Sequence, residues 1–139
     1  MEILEAKGKN THNTKTARSR ASRKNAQHAS FSEMKKRISF LSTLKHGWDG
    51  YNASPINSLV INNVHELLSN IDEDYLSGWR ALPEINGTIN LQNDVLRAGI
   101  QIGDKALSYF VIRGNNVIGE DNVAFSISNF VNILKSING

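Results

Sequence analysis

The chain has 139 residues, no cysteine and a formal charge of +3; this leaves room for one domain and excludes disulfides and thiolate metal ligands. Its longest apolar runs, Tyr109–Ile112 and Phe130–Leu134, are far too short to span a bilayer. The net charge conceals a division: residues 1–45 hold 11 of the 16 Lys and Arg against Glu2, Glu5 and Glu33, giving +8, while residues 46–139 hold 5 bases and 10 acids, giving −5.

Residues 1–30 read as a basic arm. Between Gly8 and Ser30 the only apolar side chains are Ala17, Ala21, Ala26 and Ala29. Such a segment cannot repay the entropy of ordering a chain, so the expectation is a flexible arm, disordered in isolation. The N-terminus lacks the apolar stretch of a secretory signal, and the expected location is the cytoplasm. Residues 31–139 are expected to form a single α+β domain.

The domain opens with two predicted helices. Ser30 and Glu33 have capping-box spacing, and Phe31, Met34, Ile38, Leu41 and Leu44 make one apolar stripe that should run to a stop at Gly47. A second helix is expected to start with Ser54 as cap and Pro55 as first residue. Val60, Val64, Leu67, Leu68 and Ile71 mark its buried face, and Asp72-Glu73-Asp74 lies in the loop beyond it.

From Trp79 onward the apolar period falls from 3.6 to 2. Ile85, Ile89 and Leu91 flank Asn86-Gly87; Leu96, Ala98, Ile100 and Ile102 alternate; Leu107, Tyr109 and Val111 alternate beside Phe110 and Ile112. Val117 and Ile118 suggest a short fourth strand. The expectation is a three- to four-stranded antiparallel meander. A C-terminal helix follows, capped by Ser126 or Ser128, with Ile127, Phe130, Val131, Leu134 and Ile137 inward.

The most distinctive stretch is Gly47-Trp48-Asp49-Gly50-Tyr51-Asn52-Ala53-Ser54-Pro55. Glycines permit tight backbone, and an Asp in such a turn bonds nearby N–H groups. Two readings stand: a structural corner between helices, or a partner-contact surface formed by Trp48, Asp49 and Tyr51. With the later Pro83, Ile85, Gly87 and Ile89, the stretch resembles a group of small, largely uncharacterised bacterial proteins. These carry a Gly-Trp-Asp-Gly-Tyr corner before a Pro-initiated helix and a Pro-x-Ile-x-Gly-x-Ile lead into a strand. The resemblance covers about residues 38–112 and rests on Gly47, Trp48, Asp49, Gly50, Tyr51, Ala53, Pro55, Pro83, Ile85, Gly87 and Ile89; Asn52 stands where the group often has Gly. It implies an α+β fold and a bacterial or mobile-element origin, and it implies no catalytic roles.

No catalytic constellation, metal-ligand spacing or cofactor motif is legible. There is no His-x-x-x-His, no Gly-rich phosphate loop and no nucleophile elbow. Asp49, Glu84 and Asp94 each read as surface or capping groups. The arm carries the functional expectation. Lys15, Arg18, Arg20, Arg23 and Lys24, continued by Lys35, Lys36 and Arg37 on the first helix, have the composition of an arginine-rich segment that binds nucleic acid through phosphates. No aromatic precedes Phe31, which argues against base stacking by the arm. The expected function is a non-enzymatic accessory protein whose arm binds nucleic acid, RNA or ribonucleoprotein before DNA, while the body contacts a protein partner. The alternative is an antitoxin-like inhibitor whose arm wraps and blocks a toxin.

Overall fold

The computed structural model describes residues 31–139. Ser30, and with it the expected capping box, lies outside them, as do Lys15, Arg18, Arg20, Arg23 and Lys24. The described chain is α+β: helices on one face of a five-stranded antiparallel sheet, with a helix at the C-terminus.

Helix α1 occupies residues 31–41. Met34, Ile38 and Leu41 are buried, one per turn along one stripe, with Phe31 and Leu44 packed at its margins. The helix ends earlier than its apolar stripe. The Ser42 and Thr43 hydroxyls donate to the Ser39 and Phe40 carbonyls at 2.6 and 2.7 Å, and the backbone tightens to three-residue bonds, Thr43 N to Phe40 O and Leu44 N to Leu41 O. Local side-chain bonding thus takes up carbonyls that another helical turn would need.

Helix α2 spans Ser58–Asn70, with Val60, Val64, Leu67 and Leu68 buried. Its cap is Asn57, whose Oδ1 accepts from Leu59 N at 2.8 Å, and not the expected Ser54. Tertiary hydrogen bonds decide this: Ser54 N donates to Ile85 O and Asn57 N to Gly87 O. Those donors hold the segment off the helix. A 3-10 turn, Glu73–Leu76, follows and buries Leu76.

The sheet has five strands where three or four were expected: β1 Arg80–Pro83, β2 Ile89–Asn93, β3 Ala98–Ile102, β4 Ala106–Arg113 and β5 Asn116–Ala124, paired in chain order. β1 escapes the sequence pattern because it is four residues long and ends on a proline. Ile85 belongs to no strand; it is exposed in the turn after β1. β5 extends beyond Val117-Ile118 by pairing along β4, and it escapes the sequence pattern because its middle, Gly119-Glu120-Asp121-Asn122, has no apolar period. A register shift opposite Leu107–Tyr109, with Asn122 at φ 58, marks a bulge there.

Alternate residues of the strands face the helices. Ala81, Ile89, Leu91, Ala98, Ile100, Ile102, Leu107 and Val111 join the buried stripes of the helices in one core. Helix α3, Ile127–Asn138, is capped by Ser126 Oγ, which accepts from Asn129 N at 3.0 Å. It buries Phe130, Ile133, Leu134 and Ile137; the expected Ile127 and Val131 lie at the margin, half-buried. Arg113 donates to the Ser136 and Ile137 carbonyls, both at 2.7 Å, and so ties the end of α3 to the sheet. Among the described residues no helix is long and apolar enough to cross a membrane.

Ile100 sits at 0% exposure on the central strand. Ile100→Ala should cost about 2–5 kcal/mol of unfolding free energy, read as a lower urea midpoint, because a close-packed site does not collapse around the lost atoms.

Candidate functional site

The corner after α1 closes on itself. Gly47 N donates to Ala53 O at 2.8 Å and Gly50 N to Gly47 O at 2.9 Å. Asp49 Oδ1 accepts from Tyr51 N at 2.9 Å and Ala53 N at 3.1 Å. Trp48 lies half-buried against the loop, and its Nε1–H donates to Ser54 O at 2.7 Å. Two of the three expected contact residues therefore brace the corner. The third, Tyr51, is 83% exposed. The N–H groups aimed at Asp49, that of Tyr51 foremost, hold its carboxyl below the ordinary Asp range.

The corner then meets the turn between β1 and β2. That turn is drawn by Gly87 N to Glu84 O and Glu84 N to Thr88 O, both 3.0 Å, and the extended segment before α2 bonds to it through Ser54 N and Asn57 N. A β-carbon on Gly87 would stand 3.0 Å from the Pro55 carbonyl oxygen, and its φ of +88° is one that side-chain-bearing residues avoid. The two motif segments, far apart in sequence, are thus one tertiary contact.

The basic residues of α1 divide. Lys35 and Lys36 are exposed; Lys35 Nζ lies 5.1 Å from the Phe31 ring centroid and Lys36 Nζ 3.5 Å from Glu33. Arg37 is half-buried, and its Nε donates to Ala81 O at 3.1 Å. It covers a carbonyl on the outer edge of β1, as edge strands need. Its guanidinium carbon also lies 5.5 Å from the Phe40 ring centroid. Of the carboxylates singled out, Asp94 accepts from Arg80 and Gln92 at 3.2 and 2.9 Å. Glu84 and Asp49 sit in different loops. No group of three or more His, Cys, Asp or Glu among the described residues is placed to hold a metal ion.

Sequence reading missed the sheet face turned away from the helices. The register sets Leu82, Asn90, Gln101 and Ser108 in one row across β1 to β4, and Gln92, Gly99, Phe110 and Gly119 in the next across β2 to β5. Phe110 is 40% exposed. A cleft of about 300 Å³ opens here, lined by Glu84, Asn90, Gly99, Gln101, Phe110 and Asp121 among others. The available signal was the polar half of the alternation in β2 and β3. No protein-family model, curated protein or solved structure matches this chain.

Gly87→Ala should lose about 1–3 kcal/mol of stability through backbone strain and the clash with Pro55, measured by thermal or urea unfolding. Asp49 gives a pH signature. A carboxyl whose folded pKa is depressed contributes stability above its unfolded pKa and loses it as pH falls through the folded one. Stability of the native chain should therefore fall more steeply than that of Asp49→Asn from roughly pH 4 downward, as followed by urea midpoints across an acid series.

Proposed function

We propose that this protein is a non-enzymatic adaptor. Its basic N-terminal segment holds nucleic-acid phosphates, RNA before DNA, while the folded body contacts a protein partner. The observation that carries the reading is the division of charge, +8 in residues 1–45 against −5 in residues 46–139. Phosphate is repelled by the body, so an anionic polymer is confined to the basic stretch. Lys35 and Lys36 continue that stretch onto the exposed side of α1. Arg37 stands behind them in this role, since its Nε is taken by Ala81 O.

The absence of aromatics before Phe31 makes the contact one of phosphates and not of stacked bases. The protein-contact half is supported by Tyr51, a fully presented aromatic on a corner braced by Asp49 and Trp48. A rigid aromatic loses little side-chain entropy on binding, which suits it to anchor an interface.

Replacing Arg18, Arg20, Arg23 and Lys24 together by Ala should remove most binding to a single-stranded RNA followed by fluorescence anisotropy. The slope of log K against log salt should become shallower by about 3, at roughly 0.7 per lost phosphate contact. Undiminished affinity in the fourfold variant, or binding indifferent to salt, defeats the reading.

A further inference from the structure

We propose that the cleft on the open face of the sheet binds the guanidinium group of an arginine carried by a basic peptide of a partner protein. This rests on, and gives a location to, the protein-contact half of the function proposed above.

The floor is Phe110. Its cross-strand neighbours on both sides are glycines, Gly99 on β3 and Gly119 on β5. A β-carbon on Gly99 would lie 2.6 Å from Phe110 Cε1 and 3.1 Å from Cζ, so the ring covers the bare Gly99 backbone. With glycines directly opposite it on both neighbouring strands, the ring presents a platform for a flat cation.

The Gln101 side chain near it is fixed by a chain of hydrogen bonds. Thr88 Oγ1 lies 2.7 Å from Asn86 Oδ1, an acceptor already bonded by Thr88 N. The single hydroxyl proton of Thr88 therefore points to Asn86. Its oxygen must then accept from Gln101, whose Nε2 lies 2.9 Å away. One N–H of the Gln101 amide is thereby committed to Thr88, which holds the side chain in place where it lines the cleft. Asn90 Oδ1 stands 3.4 Å from the position of a Gly99 β-carbon, at the same spot. The ring is thus flanked by an Asn90 acceptor and a Gln101 amide anchored by Thr88.

Charge selects the ligand. Glu84 and Asp121 line the cleft. Neither makes an ion pair or side-chain hydrogen bond with another described residue, whereas Asp94 in the β2–β3 turn is held by Arg80 and Gln92. Two carboxylates that no other described residue neutralises disfavour phosphate, which argues against a nucleic-acid groove, and attract a cation. Arginine fits better than lysine. Its planar fork stacks on a ring and offers five donors to amide and carboxylate oxygens arranged around that ring; an ammonium offers three donors and a tighter hydration shell.

The test uses the full ¹⁵N-labelled chain and the peptide acetyl-Gly-Arg-Gly-Arg-Gly-amide, titrated by NMR. The expected result is shifts clustered at Gly99, Gln101, Phe110 and Asp121. Affinity should fall about tenfold in Glu84→Gln/Asp121→Asn and about tenfold in Phe110→Leu, each with an otherwise native spectrum, and the lysine counterpart should bind more weakly. Unchanged affinity in the double variant, shifts centred elsewhere such as Asp72–Asp74, or no shifts at all overturn the assignment. So does a cleft already held by this chain's own basic segment: the peptide then leaves these amides unmoved, while the double variant moves the resonances of Arg18–Lys24. RNA binding by the basic segment is measured separately and stands or falls independently of these results.

Discussion

Two backbone hydrogen bonds, from Ser54 N–H to the Ile85 carbonyl and from Asn57 N–H to the Gly87 carbonyl, join the helical half of the chain to the sheet. Each is worth about 1 kcal/mol net; their larger effect is geometric. They keep residues 54–57 off the helix, so α2 starts at Ser58 and lays its apolar stripe on β3 and α3. They also require a bare backbone at Gly87, where the Pro55 carbonyl approaches to within 3.0 Å of any β-carbon. The corner that supplies the donors is itself closed by Asp49 and Trp48. A Gly-Trp-Asp-Gly-Tyr corner and a Pro-x-Ile-x-Gly turn are thus two halves of one joint.

The same joint reaches the other side of the sheet. Asn86 and Thr88 belong to the β1–β2 turn, and Thr88 orients Gln101 on β3. The segment that seats α2 on one face therefore also sets a hydrogen-bonding group on the opposite one. Antiparallel sheets commonly bury one face and leave the other to solvent. Here the solvated face carries an amide row, an aromatic between glycines and two carboxylates that pair with no other described residue, and so has a chemistry of its own.

The two sheet edges are treated differently. Arg37 covers a carbonyl of β1, and a bulge with Glu120 and Asp121 interrupts β5. Both devices discourage edge-to-edge pairing between sheets. The Arg37 bond also separates one basic residue of α1 from the exposed Lys35 and Lys36, so helix charge is partly spent on holding the fold together. The electrical division of the chain thus separates the two proposed binding chemistries, a cationic stretch for phosphate and an acidic body for a cation.

Much of the body could be read from the order of its residues. Helical and strand periods place α1, α2, α3 and the middle strands, because those apolar stripes are local consequences of burying one face. Ser126 caps α3 as its position before an apolar stripe suggests. Asp49 bonds its own turn as an Asp between glycines should. What the sequence by itself determined is therefore the α+β class, the amphipathic faces and the charge division, all of which depend on near neighbours. Tertiary structure alone decided the rest. It made β1 a strand, since a four-residue segment ending on Pro83 earns that state only by pairing with β2. It moved the cap of α2 from Ser54 to Asn57, since a distant turn claims the intervening N–H groups. It gathered Glu84, Asn90, Gln101, Phe110 and Asp121 into one cleft, since only strand register sets residues from five segments side by side.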